Sequence, residues 1–328
     1  MENRARFKKI MNFENADRLP MVEWANWWDK TLERWYTEGL DRNLTDGGAI
    51  QKYFGLDMFR QMWISPRARL PKYDRPKGCV RDKESYEFIK SFFDPVKSID
   101  LDRLSQWAEH QRRGEIVIWL TLDGFYWIGR ELFGIEAHNY AFYDKPELVH
   151  RINHDLVEFN LAVLRRVSEI CRPDFMTFAE DMSYNHGPMI SRRLFDEFLL
   201  PYYRQIVPEL KANGIIPIVD SDGNITELMD WLMDAGIEGV LPLERQAGVD
   251  IVEFRRRYPK AKIIGGFDKT VMSRGVEGMR QEFERILPVM SQGGYIPGVD
   301  HQTPPDVSLE MYKAYLQLLR EYCVKAVK

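Results

Sequence analysis

The chain has 328 residues, of which 45% are hydrophobic and 29% are charged, so it is long enough to bury a large core. A net charge of −4 and a pI near 6.0 exclude the basic footprint of a nucleic-acid-binding protein. No segment reaches the roughly 18 uninterrupted apolar residues of a membrane span, and the first residues lack the apolar centre of a signal peptide. We therefore expect a cytoplasmic protein that binds neither nucleic acid nor membrane.

The three cysteines are Cys79, Cys171 and Cys323, and no two of them form a Cys-x-x-Cys pair. This spacing predicts neither a disulfide framework nor a thiolate metal cluster, and it suits a reducing compartment. A small molecule or another protein is the expected partner. The oligomeric state stays open, with a dimer among the alternatives.

The chain begins with a predicted basic helix over Glu2–Phe13, followed by a turn and an apolar run at Met21–Trp24 that we interpret as the first strand of the sheet. Four tryptophans then lie between residues 24 and 35. They either pack a helix against the sheet or form an aromatic wall for an apolar or planar ligand. On the second alternative, Trp24 and Trp27 are candidate substrate-binding residues.

The pattern from Gly47 to Phe93 is less regular. Within it, Asp57–Leu70 and Cys79–Phe92 alternate like antiparallel strands between turns rich in proline and lysine. We interpret residues 47–93 as an insertion between the first two βα units. The whole chain, residues 1–328, is expected to form a single domain.

Strands and helices alternate over the remaining two thirds of the chain. A strand at Ile116–Leu122 precedes a long helical stretch broken near Gly134 and at Lys145-Pro146. Further strands, each followed by a helical pattern, are predicted at 175–180, 215–219, 239–243, 262–266 and 295–299. Such repeats form parallel sheets buried on both faces. Adding Met21–Trp24 and Met58–Ile64 gives eight strands, which predicts a (β/α)8 TIM barrel.

Acidic residues follow six of these apolar segments. The stretch GIIPIVDSDGN, residues 214–224, is the clearest case, because a short buried strand there ends in two aspartates and a helix start. The carboxyl ends of parallel strands meet at one rim, which is where barrels bind ligands. The acids expected at this rim are Asp123, Glu180, Asp181, Asp220, Asp222, Glu244, Asp268 and Asp300. No Gly-x-Gly-x-x-Gly or phosphate-binding loop is present, so a nucleotide cofactor is not predicted.

Several blocks of sequence carry a resemblance to a known family. They are GFYWIGRELFGIE at 124–136, ISRRLFDEFLLP at 190–201, Val219–Asn224 and the ending at 293–315. From about residue 114 onward the chain resembles the uroporphyrinogen decarboxylase superfamily, which includes the decarboxylase and methyltransferases that use corrinoid-bound methyl groups. The resemblance implies a βα barrel with its site at the C-terminal rim.

Two departures from the family pattern bear on activity. The decarboxylases carry an arginine-rich stretch after the first strand that clamps a polycarboxylate, whereas this chain reads MVEWANWWDKTLER, with no arginine before Arg34. The corrinoid-linked methyltransferases have a zinc-binding His-x-Cys-Gly-Asn motif where this chain has Asp220-Ser221-Asp222-Gly223-Asn224. The resemblance is therefore closer to the methyltransferase branch, with carboxylates in place of zinc ligands.

The residues at the rim can be assigned candidate roles. Asp220 and Asp222 can both point toward the barrel mouth, although Asp222 could instead cap the next helix. His301 lies in a loop, where a metal-ligand or acid–base role competes with solvent exposure. The candidate catalytic residues are Asp220, Asp222, His301 and Glu180, and the candidate substrate-binding residues are Trp24, Trp27, Asp123, Tyr184 and His186.

Carboxylates crowded at one rim repel each other unless a cation compensates them. Salt bridges to Lys269 and Arg245 are one solution. A divalent metal is the other, and the mixture of carboxylates with one imidazole suits Zn²⁺ with an open position. The predicted ligands are Asp220, Asp222, His301 and Glu244.

We expect a methyltransferase that moves a methyl group between a small substrate, such as a methoxylated aromatic compound, and a corrinoid (cobalamin) cofactor. The chain has no corrinoid-binding domain of its own, so the resemblance implies a separate corrinoid protein as partner. The second alternative is a uroporphyrinogen decarboxylase-like lyase acting on a carboxylated substrate. The third is a ligand-binding barrel without catalysis.

Overall fold

The computed structural model describes residues 1–327. The strands are β1 (Met58–Ile64), β2 (Ile116–Asp123), β3 (Phe175–Ala179), β4 (Ser183–Tyr184), β5 (Gly187–Pro188), β6 (Ile216–Asp220), β7 (Gly239–Leu241), β8 (Lys262–Phe267) and β9 (Tyr295–Val299). The helices are α1 (Asn3–Met11), α2 (Asp29–Thr37), α3 (Gly47–Tyr53), α4 (Lys83–Lys90), α5 (Leu101–Arg112), α6 (Phe125–Phe133), α7 (Ile135–Asp144), α8 (Pro146–Ser168), α9 (Arg192–Phe198), α10 (Leu200–Ala212), α11 (Leu228–Asp234), α12 (Ile251–Arg257), α13 (Val276–Met290) and α14 (Leu309–Lys325). Within residues 1–327 no helix combines the length and apolar character that a bilayer crossing requires.

Seven parallel strands form one curled sheet in the order β1-β2-β3-β6-β7-β8-β9. The strands between the two edges are apolar on both faces, and β2, β3 and β8 are buried along their whole length. Such burial is what helices packed on one face and a filled interior on the other require. The α/β barrel architecture predicted from the alternation of patterns is confirmed.

The interior of the sheet is filled by side chains from every strand. Phe59, Phe175, Ile218, Leu241, Ile264 and Ile296 form one cluster with Val117 and Trp119 of β2. Helix α1 closes the amino-terminal end, because its Phe7 packs into this cluster, with the ring centroids 5.4 Å from Phe175 and 5.5 Å from Phe59. The opposite, carboxyl-terminal end remains available for a site.

The predicted first strand, Met21–Trp24, is not hydrogen-bonded as a strand. The segment lies in the gap between β9 and β1, where Val22 joins the interior cluster and Trp24 Nε1 donates to the carbonyl of Val299 at 2.7 Å. It is hydrogen-bonded to the residue before β1, through a 2.8 Å bond from the Asp57 amide to the Met21 carbonyl and a 3.0 Å bond from the Met21 amide to Asp57 Oδ2. The barrel therefore has seven hydrogen-bonded strands and a seam beside β1.

The prediction of antiparallel strands between residues 47 and 93 is wrong. Met58–Ile64 is β1, which pairs parallel to β2, and the region of Cys79–Phe92 contains helix α4. The Asp82 side chain accepts a hydrogen bond from the Ser85 amide, and the Ser85 hydroxyl accepts one from the Asp82 amide. This capping box starts the helix. The apolar residues Tyr86 and Ile89 are three apart and share the buried face, which is a helical period.

The strand register aligns the carboxyl ends. Asp123 lies beside Ala179, Ala179 beside Asp220, and Asp220 beside Leu241 in neighbouring strands. The residues that follow these positions therefore meet at one rim.

Candidate functional site at the carboxyl-terminal rim

The turn after β6 is shaped by Gly223. Its φ is +83°, and a Cβ at this position would lie 2.8 Å from backbone atoms of Ser183 and Tyr184. Only glycine fits both the conformation and the space. The Gly223 amide donates to Glu244 Oε2 at 2.9 Å, and Asn224 N–H donates to the Tyr184 carbonyl at 2.9 Å. The turn is thus fixed against the β4–β5 hairpin and the loop after β7.

Three side chains from separate loops converge beside this turn. The carboxylates of Asp222 and Glu244 and the imidazole of His301 each place a ligand atom within 4.8 Å of the other two. His301 Nε2 lies 3.6 Å from Asp222 Oδ2. Two ligands of one tetrahedral zinc ion are about 3.4 Å apart, since each bond is about 2.0–2.1 Å long. Two carboxylates and one imidazole fit a divalent ion of this kind, with room for a further ligand.

A lysine provides part of the charge compensation that salt bridges could supply. Lys269 Nζ lies 3.8 Å from Glu244 Oε1 and 3.5 Å from Asp300 Oδ1. Arg245 instead pairs with Asp250 at 2.8 Å. Asp222 has no Lys or Arg partner among the described residues, so the negative charge nearest His301 is not neutralised by a fixed cation.

Asp220 lies near this cluster without joining it. Its half-buried carboxyl lines a cavity that Asp222 and His301 also line. Burial, together with the charges of Asp222 and Asp181, raises the pKa of Asp220 to about 8. Contact with the Asp222 carboxylate raises the pKa of His301. Both directions express an excess of negative charge at this rim.

A cavity of about 290 Å³ opens in front of these groups. Its walls combine three indoles, Trp24, Trp63 and Trp127, with the acids Glu180, Asp181, Asp220 and Asp222, with His301 and Gln302, and with Ala25 and Ala179. Neither Lys nor Arg contributes to this wall in the part of the chain that the structure describes. The cavity is suited to a small ligand with an apolar, flat body.

Trp63 and Trp127 are held in position by neighbouring charged groups. Trp63 Nε1 donates to Asp123 Oδ1 at 3.0 Å, and the buried Asp123 carboxylate also accepts from Ser65 at 2.6 Å and from Arg67 at 2.8 Å. The guanidinium groups of Arg130 and Arg67 lie 5.1 Å and 5.8 Å from the Trp127 ring centroid. The predicted substrate-binding residue Asp123 thus supports a wall residue and does not itself line the cavity.

Glu180 is engaged by the start of helix α6. Its carboxylate accepts from the amides of Phe125 at 2.8 Å, Tyr126 at 2.7 Å and Trp127 at 3.2 Å, and from the Tyr203 hydroxyl. Burial raises its pKa to about 7, against the lowering effect of these hydrogen bonds. A carboxylate at a helix N-terminus satisfies amides that have no intrahelical partner. The candidate catalytic Glu180 therefore lines the cavity, while its carboxylate is held by the start of helix α6.

The remaining candidate residues lie elsewhere. Trp27 is 5% exposed and packs on Trp35, Phe54 and Tyr312, at centroid distances of 6.2, 5.8 and 5.9 Å. Tyr184 and His186 are exposed on the β4–β5 hairpin and contact each other edge to face. The structure brings Trp24, Glu180, Asp220, Asp222 and His301 to one cavity and places Glu244 beside Asp222 and His301 in the candidate metal site. It places Trp27, Asp123, Tyr184 and His186 outside the wall.

Sequence analysis assigned no role to the wall residues Trp63, Trp127 and Gln302, and it placed Asp181 at the rim without a role. Trp63 follows from the alternation of β1, since it lies on the same face as the interior residue Phe59, and Trp127 is the one tryptophan of the 124–136 block. Asp181 and Gln302 neighbour predicted residues, but their orientation depends on loop conformation that the pattern does not encode.

Comparisons with known proteins place the chain in a family and a fold. The family model described as uroporphyrinogen decarboxylase (URO-D) matches residues 126–322, more than half of the chain. A methyltransferase from Methanosarcina mazei shares the fold, with a TM-score of 0.65, 12% identity, and coverage of 98% of this chain and 99% of that chain. A B12-independent methionine synthase from Shewanella sp. W3-18-1 aligns with a TM-score of 0.44 and 13% identity over 68% of this chain and 65% of its own. No curated protein matches the chain by sequence. The chain belongs to the uroporphyrinogen decarboxylase family.

Proposed function

We propose that the protein is a metal-dependent methyltransferase acting between a small methyl donor, such as a methoxylated aromatic compound, and a corrinoid carried by a partner protein. The observation that carries the proposal is the convergence of Asp222, Glu244 and His301 at the edge of a cavity walled by three indoles. The likeness in fold to a methyltransferase supports it.

Different residues of the chain would bind the metal ion and the substrate. Asp222, Glu244 and His301 would hold the divalent ion, and Zn²⁺ best matches their donor atoms. When bound, such an ion supplies Lewis acidity that makes an ether oxygen a better leaving group. Trp24, Trp63 and Trp127 would hold the flat body of the substrate and keep water away from it. Asp220, whose side chain has no partner among the described residues, would bind a polar substituent.

The proposed reaction is a methyl transfer that balances without an oxidant. The bond between the methyl carbon and the ether oxygen would break, the oxygen would keep the bonding pair and take up a proton from water, and the methyl group would be accepted by the reduced corrinoid that the partner carries. The open cavity mouth, rimmed by the half-exposed Trp63, would admit the partner's cofactor. Bound cofactors of this kind supply the difficult chemistry, and the protein supplies position.

Decarboxylation of a polycarboxylate is the second candidate. It would need several cationic anchors, whereas the cavity wall carries four acids. A ligand-binding barrel without catalysis is the third candidate and would use the same cavity. The acidic wall favours methyl transfer over decarboxylation.

The test incubates zinc-loaded protein with cob(I)alamin and a panel of methoxylated aromatic compounds and follows the absorption spectrum of methylcobalamin. We expect methylcobalamin to form with at least one donor and the His301→Ala variant to lose the activity. The His186→Ala variant, which changes an exposed histidine outside the wall, is the matched control and should retain it. Absence of methylcobalamin with every donor, together with turnover of uroporphyrinogen, would reverse the assignment.

A further inference from the structure

A second cavity lies at the seam of the barrel, where the segment before α2 passes β1 without forming a strand. Its volume is about 160 Å³. Arg60 and Gln61 both line it, although adjacent strand residues point to opposite faces of a sheet. The cavity therefore runs along the unpaired edge of β1 and reaches both faces. It shares Trp24 with the cavity at the rim.

The guanidinium of Arg60 is the main charged group in this seam cavity. It is half-buried, and its one hydrogen bond within the described chain goes to Gln51 Oε1 at 3.1 Å. No carboxylate pairs with it in residues 1–327. Burial lowers the pKa of Arg60, which means that the positive charge is poorly solvated. By contrast, the nearby Arg67 pairs with both Asp123 and Glu131.

Glu23 provides an unpartnered polar group in the same wall. It is 4% exposed, its Oε2 accepts from the Tyr312 hydroxyl at 2.8 Å, and its Oε1 has no partner. Buried polar atoms without a partner are rare and indicate a missing water, ion or ligand. Burial raises the pKa of Glu23 to about 8, which favours the neutral form that does not repel an anion.

Aromatic rings form one part of the wall, beside the polar side chains of Asn26 and Gln51. Phe59, Trp107 and Trp119 line the cavity together with Trp24. A ligand for this space therefore has a flat apolar body and an anionic head. The start of α3 packs directly against the guanidinium, because a Cβ at Gly48 would lie 2.6 Å from Arg60 Nη1.

We propose that the seam cavity is a binding site for a small aromatic carboxylate, with the carboxylate on Arg60 and the ring between the tryptophans. The site is separate from the metal cluster, and it does not depend on the proposed methyl transfer. Arg60 would form the charge-assisted hydrogen bonds that it lacks within the chain.

Ligand-observed NMR titration with benzoate tests the proposal, and benzamide serves as the neutral probe of the same shape. We expect benzoate to bind the wild type saturably. Benzamide should bind at least about 10-fold more weakly than benzoate, since hydrogen bonds to charged groups are stronger than those to neutral groups. The Arg60→Gln and Gly48→Ala variants should each weaken benzoate binding by a similar factor. Gly48→Ala displaces the guanidinium without removing it. If Arg60→Gln does not fold, the benzoate affinity of Gly48→Ala tests the role of Arg60.

Two control variants locate the binding. Arg112→Gln changes an exposed arginine of α5, the helix that carries Trp107, and should leave benzoate binding unchanged. Asp222→Ala alters the metal cluster and should also leave it unchanged. The proposal is overturned if the wild type shows no saturable binding, if benzamide binds as tightly, if both cavity variants bind normally, or if Asp222→Ala abolishes binding.

Discussion

Acidic residues at the rim differ in what their carboxylates contact. Glu180 and Asp300 accept hydrogen bonds from backbone amides and are buried, so they hold loops and a helix start in place. Asp222 and Glu244 face His301 across an open cluster, although Glu244 also accepts from the Gly223 amide. Each follows a strand in the same sequence pattern. What separates them is the path of the loop that each one enters.

Trp63 and Trp27 give a matched test of which tryptophans serve the cavity. Trp63 lines the cavity and is 50% exposed, whereas Trp27 is 5% exposed in the core. We expect Trp63→Ala to raise the KM for the methyl donor with little effect on the thermal midpoint. Trp27→Ala should lower the unfolding free energy by about 3–5 kcal/mol, because it empties a packed site. Equal loss of stability in both variants would contradict the assignment.

The raised pKa of Glu23 predicts how the stability of the protein depends on pH. Its folded-state pKa of about 8 lies above the ordinary value of about 4.3, so the folded protein favours the protonated form. This contribution to stability is complete below about pH 4 and is lost as the pH rises through about 8. Urea unfolding at about pH 5.5 and about pH 8.5 should show a smaller loss of stability in Glu23→Gln than in the wild type. The same loss in both proteins would show that Glu23 is not the group responsible.

At the scale of elements, the candidate metal site of Asp222, Glu244 and His301 depends on the turn after β6 and on the support of this turn by the β4–β5 hairpin. Gly223 and Gly214 both have positive φ, at +83° and +68°, but nothing lies within 4 Å of a Cβ at Gly214. Gly214→Ala should therefore cost only the strain of the left-handed conformation, about 1–2 kcal/mol. Gly223→Ala adds a clash with the hairpin backbone.

We expect Gly223→Ala to weaken zinc binding at least 10-fold while Gly214→Ala leaves it unchanged, with binding measured by competition against a chromophoric chelator. The comparison separates loss of the turn geometry from general destabilisation. Normal zinc affinity in a folded Gly223→Ala variant would mean that the turn does not set the cluster.

Patterns of sequence predicted most of the elements because most of the parallel strands are buried on both faces and the helices are amphipathic. The helical breaks near Gly134 and before Pro146 appear as the junctions between α6, α7 and α8. The prediction for the region around α4 was wrong, because a short amphipathic helix between turns can be mistaken for alternating strands. The Asp82–Ser85 capping box is the sequence signal that indicates the helix. The seam at Met21–Trp24 could not be predicted, because apolar character fixes burial and not hydrogen bonding.

At the scale of the whole molecule, the barrel places residues that are distant in sequence at one rim. Asp222, Glu244 and His301 follow β6, β7 and β9, and the order of the sheet is what brings them together. The rim position was predictable from the parallel pattern. The exclusion of Asp220 from the cluster was not, because it depends on where β6 ends and which way its last side chain turns.

The central claim is that this rim holds one divalent metal ion on Asp222, Glu244 and His301. The most direct measurement is elemental analysis of protein purified without chelator, repeated after equilibration with zinc. We predict close to one ion per chain in the wild type and its loss in Asp222→Ala and His301→Ala, with His186→Ala retaining it. A wild-type protein that stays free of metal in added zinc would contradict the claim and would mean that salt bridges, such as those of Lys269 and Arg130, compensate this acidic rim.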